Sequence, residues 1–337
     1  MSNIIIKNIG ITNFRSHEKY YLDCNKNTTL ILGENGCGKT SVLEAIYIAL
    51  QGKSFRAVDK EIVKRESDFY RIEVDFLDGE KTVVTYERKN IKKNFLLKDK
   101  KYSRLPKKYK YPVVLFLPED LHIVSTSPIK RRDFFDRFLV SLDDNYGNIL
   151  SRYNQALKQR NELLKQENFS KELLFSWDIL MAKYGTQIQK RRRELIVEIN
   201  NKLTGIYRTI AENKDDVRIG YDSYTGDTDE SGYLRLLQMD FERDRLTGHT
   251  NFGVHKDDYK FLFNNSLAEG SASRGETRSI ILALKFFEAT KLYETLKKKP
   301  VVLLDDVFSE LDKKRQKCLV KNFSNHQVIL TSVDGVN

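Results

Sequence analysis

The 337-residue chain is longer than one average hydrophobic core requires, which predicts two domains or one domain carrying a large insertion. Its 58 Lys+Arg against 47 Asp+Glu leave a net charge of +11, pointing to a polyanionic partner such as nucleic acid or an acidic surface. Three scattered cysteines, Cys24, Cys37 and Cys318, exclude a disulfide framework or zinc knuckle, and no apolar run approaches the ~18 residues of a membrane span. The Ile4–Ile6 run is too short for a signal peptide, so a cytoplasmic protein without membrane contact is expected.

Residues 3 to 32 alternate apolar and polar positions and end in the β-rich run Thr28 to Leu32, which reads as a buried strand. A glycine-rich turn follows. Val42, Leu43, Ile46 and Leu50 then recur at helical spacing, with Gly52 placed as a C-terminal cap. Strands are predicted at 71–77, 82–87 and 113–117, the first two joined by the Asp78-Gly79 turn. Residues 81–111 hold ten of the eleven net positive charges and interleave Tyr86, Phe95, Tyr102, Tyr109 and Tyr111 with the cations. That mix suits phosphate contacts and base stacking, and a solvated lysine face is the plain alternative.

From about Pro128 to Ala211 the chain turns helical, with Ile149, Tyr153, Leu157, Leu174, Ile179, Tyr184 and Ile188 at near-helical spacing. The heptads are too imperfect for a rod, so a small antiparallel bundle is expected. Strand character resumes at 217–221 and 259–263, before Asn264-Asn265 turns the chain. The predicted organisation is a head over residues 1–125, a helical arm over 126–215, and the remainder of the head over 216–337.

Between the strand ending at Leu32 and the helix beginning at Lys39 stand Gly33, Glu34, Asn35, Gly36, Cys37, Gly38, Lys39 and Thr40, followed by Ser41. This spacing fits a phosphate-binding loop: backbone N–H groups and the helix N-terminus face a phosphate, Lys39 reaches the outer phosphates, and the Thr40 hydroxyl meets Mg²⁺. An apolar strand ending in an acid is the partner such a loop requires, and Val301 to Leu304 followed by Asp305 and Asp306 supplies it. Asp305 is the candidate Mg²⁺ anchor and Asp306 the candidate for polarising an attacking water, in a reaction that depends on positioning and charge neutralisation. Ser273, Arg274, Gly275 and Glu276 open a helical run to Leu296, where a local capping box is an equal explanation. His255 beside Asp257 and Asp258 gives no ligand geometry and reads as a structural marker at a strand start.

The ordered set of phosphate loop, Ser273-Arg274-Gly275-Glu276 before a long helix, Asp305-Asp306 at a strand end and Ser309 to Asp312 resembles the ABC-type ATPases. Asn13-Phe14-Arg15, Gly52 to Arg56, Pro118 to Leu121, Arg131-Arg132 with Asp136, and Gly253 to Asp258 narrow the resemblance to the RecF family of their DNA-repair branch, over residues 11–331. The resemblance implies an α/β fold, an ABC-type ATPase head (P-loop NTPase) with an inserted helical arm. It further implies ATP and Mg²⁺ as cofactors, slow ATP hydrolysis, an ATP-dependent homodimer, double- and single-stranded DNA at gapped junctions, and RecO and RecR as partners in loading RecA. By the same resemblance Arg15 belongs to the nucleotide site, Ser273 and Asp312 to the dimer interface, Glu119 to the catalytic set in place of a glutamine, and Arg56 to the phosphates or the DNA path, while the cation-rich stretch itself offers Lys89, Lys92, Lys93, Lys107 and Lys108 as DNA contacts. Asp306 stands where many relatives carry glutamate, which leaves a clamp with negligible hydrolysis as an alternative. An SMC- or Rad50-type head shares the motifs, but Lys39 and Ser273 are 234 positions apart with no sustained heptads between them. A transporter subunit is disfavoured by the basic hairpin and the arm.

Overall fold

The computed structural model describes residues 4–333. In chain order these form β1 (Ile6–Phe14), β2 (His17–Asp23), β3 (Thr28–Leu32), α1 (Lys39–Gln51), α2 (Asp59–Ile62), β4 (Phe69–Phe76), β5 (Lys81–Glu87), β6 (Lys92–Leu97), β7 (Lys100–Tyr102) and β8 (Val113–Phe116). There follow α3 (Pro128–Leu142), α4 (Asp144–Leu164), α5 (Lys171–Ala211), β9 (Val217–Asp222), α6 (Glu230–Met239), α7 (Phe241–Thr247), β10 (Asp258–Phe263), β11 (Ser266–Leu267) and α8 (Ala268–Ser271). The chain ends in α9 (Arg274–Leu296), β12 (Val301–Leu304), α10 (Lys313–Asn322) and β13 (Val328–Ser332). Among the described residues no helix is long and apolar enough to cross a membrane.

The chain divides into two compact units, one running to Leu121 and resuming at Glu288, the other spanning His122–Phe287. In the first, an antiparallel sheet ordered β2-β1-β4-β5-β6-β7 and a parallel sheet ordered β3-β13-β12-β8 share one core with α1. The sequences dictate which sheet is which. β8, β12 and β13 are buried at every position, as parallel strands covered on both faces must be. β4 alternates buried and half-exposed residues, as an antiparallel strand with one wet face does. The run Val42 to Leu50 is apolar nearly all round, so α1 sits inside the core between Ile9, Ile72 and Val74 on one side and Ile31, Leu303 and Ile329 on the other. It stops where Gly52 adopts φ +84° and returns its N–H to the Ile48 carbonyl.

In the second unit α4 and α5 lie antiparallel, as their bonded pairs show: Asp143, capping α4, meets Arg191, Arg152 meets Tyr184, and Arg160 meets Asp178. Tyr153, Leu174 and Ile188 face inward on these helices, but Ile179 is 44 % exposed. Asp178 takes the inward position beside it, drawn in by buried Arg160. The boundary expected at residue 215 is not where packing divides. The apolar face of the β11-β10-β9 sheet needs a cover, and α5 and α3 provide it: Asn200 brackets Ile219 with bonds to its N–H and carbonyl, and the Phe135 and Tyr259 rings lie 4.1 Å apart. Residues 216–287 therefore pack with the helices.

Candidate nucleotide-binding site

The strand-to-helix turn from Gly33 to Lys39 is open to a ligand because its glycines take conformations closed to other residues: Gly36 has φ +82° and Gly38 φ +99°. A Cβ on Gly38 would lie 2.3 Å from His17 Nε2. The Lys39 ammonium is buried and arches back over the loop, donating to the carbonyls of Gly33 at 2.7 Å and Glu34 at 3.1 Å, and it stands 3.8 Å from Asp306 Oδ2. Glu34, Asn35 and Cys37 are exposed on the loop's rim.

Beneath the loop the ends of β12 and β13 meet α1. The Thr40 hydroxyl donates to Asp305 Oδ1 at 2.8 Å, and Thr331 Oγ1 donates to the same oxygen at 3.0 Å while accepting from the Asp306 N–H at 2.8 Å. Burial pushes the Asp305 carboxyl above its ordinary value; the bonds from Thr40 and Thr331 oppose this and the Asp306 charge adds to it. Asp306 takes φ +48°, and its Oδ1 is buried with no hydrogen-bond partner among the described residues. A hydroxyl, a desolvated carboxyl and an orphaned carboxylate oxygen are hard donors that fit Mg²⁺. Among the described residues no cluster of three His, Cys, Asp or Glu side chains is poised for a metal, so phosphate and water oxygens would complete the shell.

A cavity of about 500 Å³ opens over this floor, lined in part by Arg15, Lys39, Thr40, Ser41, Arg56 and Asp306. Arg15 and Arg56 are held by one fully buried carboxylate, Glu44 on α1. It accepts from Arg15 at 2.8 and 2.9 Å, from Arg56 Nε at 3.0 Å and from Ser54 Oγ at 2.6 Å, with Arg56 Nη2 paired to it at 2.9 Å. Burial alone would raise the Glu44 carboxyl, and the bonds from Arg15, Ser54 and Arg56 outweigh it and hold it below the usual range. Sequence reasoning assigned no role to Glu44 or Thr331. The signal for Glu44 was a lone carboxylate inside an apolar helix, a position that requires cationic partners.

The other expected site residues are placed as follows. Glu119 is exposed on the turn after β8 and is not among the cavity's lining, whereas its neighbour Asp120 is buried and bonds the Leu117 N–H. Ser273 and Glu276 form a reciprocal capping box at the start of α9, with Ser273 N to Glu276 Oε2 at 2.6 Å and Glu276 N to Ser273 Oγ at 3.3 Å, leaving Ser273 and Arg274 exposed and Gly275 half-buried. Asp312 caps α10, accepting from the Arg315 N–H at 2.9 Å. On the basic hairpin Lys89, Lys92, Lys107 and Lys108 are exposed, with Lys108 over the Tyr109 ring at 4.8 Å. Lys93 instead pairs with Asp59 at 2.7 Å. The stacking surface expected from the interleaved aromatics does not form. Tyr86 on β5 and Phe95 on β6 are buried as the inward half of the strand alternation, Tyr111 is buried in the turn before β8, and Tyr102 lies against Tyr109. His255 is half-buried, bonded to the Tyr153 hydroxyl and the Thr250 carbonyl.

The sequence pattern of the RecF/RecN/SMC N-terminal domain family matches residues 5–336. The DNA replication and repair protein RecF of Lachnoclostridium phytofermentans is 33 % identical over 97 % of this chain and 92 % of its own length, and that of Clostridioides difficile 33 % over 98 % and 91 %. The chain belongs to the RecF family. A solved structure of the recombination mediator protein RecF-ATP in the RecFOR pathway superposes with a TM-score of 0.86 at 29 % identity, covering 99 % of this chain and 93 % of that one. A Pyrococcus furiosus Smc head domain, at 15 % identity and a TM-score of 0.50, shares the fold alone. The expected RecF kinship and ABC-type ATPase head are thus what the chain has, and RecF kinship takes precedence over the SMC/Rad50-type alternative.

Proposed function

We propose that this chain is an ATP-dependent DNA-binding protein of recombinational repair. One observation carries the reading: Lys39, Thr40, Asp305 and the unpartnered Asp306 carboxylate oxygen converge under a glycine loop at a helix N-terminus. ATP places its β- and γ-phosphates among the loop N–H groups and Lys39, and Mg²⁺, held by Thr40 and Asp305, supplies charge neutralisation for phosphoryl transfer. Asp306 orients the attacking water, Glu119 is a further candidate for the catalytic set, and Arg15 and Arg56 add positive charge along the cavity wall. In a homodimer formed on ATP binding, Ser273, with Arg274, Gly275 and Glu276, completes the second copy's site, and Asp312 lies beside that copy's loop. Lys89, Lys92, Lys107 and Lys108 contact the DNA backbone at gaps, hydrolysis is slow and DNA-stimulated, and RecO and RecR join the complex that assists RecA loading.

Anisotropy of labelled gapped duplex, titrated with protein in ATP, ADP or no nucleotide, tests this. Tightening with ATP alone, abolished by Lys39→Ala, is the expected result; identical curves overturn the switch. Replacing Lys92, Lys107 and Lys108 is expected to flatten the salt dependence of binding by about one unit for each DNA phosphate left without its lysine. A second reading, a clamp that binds ATP with negligible hydrolysis, is favoured by the shorter reach of Asp306. Single-turnover hydrolysis on DNA separates the two.

A further inference from the structure

Thr331, fully buried as the next-to-last residue of β13, has one hydroxyl that is used twice. It donates to Asp305 Oδ1 at 3.0 Å and accepts from the Asp306 N–H at 2.8 Å. The register that pairs Leu304 of β12 with Leu330 of β13 sets this residue beside Asp305, and branching at its Cβ restricts the rotamers open to it. A buried hydroxyl bonded within its own strand would be ordinary packing. Here both partners lie beyond the end of a different strand.

Each partner has a reason to need it. Asp306 takes φ +48°, so the chain leaves the sheet ladder there and its N–H requires an acceptor from elsewhere. Asp305 receives side-chain hydrogen bonds from Thr40 and Thr331, and both fall on Oδ1; Oδ2 takes none among the described residues. The Thr40 hydroxyl is the group that the phosphate-loop pattern gives to Mg²⁺, so of these two bonds only that of Thr331 comes from a side chain with no ligand duty of its own. A single buried hydroxyl with restricted rotamers thus fixes the carboxylate of Asp305 and the backbone of Asp306 together.

We propose that Thr331 is a positioning residue for Mg²⁺-dependent nucleotide binding. It holds the Asp305 carboxylate by Oδ1 and leaves Oδ2 unbonded, and through the Asp306 N–H it keeps that residue in the backbone conformation in which its carboxylate stands 3.8 Å from Lys39. The inference rests on the nucleotide reading and adds to it a role for β13, a strand with no residue in the lining of the cavity. Side chains that orient metal ligands from behind set metal affinity by about ten- to a hundredfold.

Nucleotide binding read without turnover tests this on the full chain. A fluorescent non-hydrolysable ATP analogue is titrated in Mg²⁺ and in EDTA with the native protein, with Thr331→Val, which keeps the branched shape and loses the hydroxyl, and with Thr331→Ser, which keeps the hydroxyl. Thr331→Val is expected to lower affinity in Mg²⁺ by about tenfold or more and to leave affinity in EDTA unchanged, and Thr331→Ser to restore most of that loss. In an Asp305→Asn background, where the group it acts through is already altered, Thr331→Val is expected to remove no further Mg²⁺ dependence. If the valine variant does not melt cooperatively, Thr331→Ala takes its place. An equal loss in Mg²⁺ and EDTA, full affinity in the valine variant, no rescue by serine, or an undiminished effect in the Asp305→Asn background overturns the proposal and leaves the nucleotide reading standing. Native protein that binds no nucleotide in Mg²⁺ overturns that reading and this inference with it.

Discussion

Around Arg192 every side-chain nitrogen is answered. Nε and Nη2 grip the two oxygens of Asp136, and Nη1 donates to Asp257 and to the Val254 carbonyl. Under the phosphate loop the buried charges are left incomplete: among the described residues Asp306 keeps an oxygen with no partner, and Asp305 accepts from the Thr40 and Thr331 hydroxyls while carrying a raised affinity for a proton. Both clusters bear the desolvation that burial imposes. The first closes on itself and fastens α5 to α3 and to the turn before β10. The second leaves open valences at a cavity, which is how a protein keeps charge ready for a ligand. Glu44 combines the two habits, a saturated carboxylate whose purpose is to hold Arg15 and Arg56 at that cavity.

The sharpest way to break this comparison is Arg192→Ala. It strands Asp136 and Asp257 in the interior and is expected to remove about 3–5 kcal/mol of stability in chemical denaturation. An unchanged unfolding midpoint would mean the cluster is not a fastening at all. Next is pH. Burial lowers His255 to about 4, so an unfolded chain takes up a proton near 6.5 while the folded chain resists it. Stability is therefore expected to fall by about 3 kcal/mol as pH drops from 6.5 to 4, then level off with respect to this group, and His255→Gln should lack that slope. Equal pH profiles for the two proteins would contradict it. The mildest test is Glu44→Gln, which weakens two charge-assisted contacts at a cost of about 2 kcal/mol. Its effect on nucleotide affinity, read by fluorescent-nucleotide titration, is expected to exceed its effect on the melting temperature relative to a core substitution of equal cost.

What could be read from the sequence was what is local. The strand, glycine loop and helix from Thr28 to Gln51 lie in one continuous stretch, and the apolar run into Asp305 announces a buried strand end. The long-range bonds were not legible. Nothing near Thr331 says that its hydroxyl will join Asp305 to the Asp306 N–H, because that depends on β13 pairing between β3 and β12. The aromatics of residues 86–111 misled for a related reason: composition names the stacking groups, but alternation along β5 and β6 decides which side of the sheet they take, and the core claimed Tyr86 and Phe95. Lys93 was drawn inward by Asp59 in the same way.

The position of β13 has a consequence for how the protein is made. It is the last strand of the described chain, yet it lies between β3 and β12, pairing with β3 across about 300 residues, and Gln327 just before it binds both the N–H and the carbonyl of Ile6. During synthesis the glycine loop before α1 emerges well ahead of β13, the strand that supplies Thr331. A chain cut short before Val328 therefore carries the glycine loop without the Thr331 hydroxyl that joins Asp305 to the Asp306 N–H beneath it.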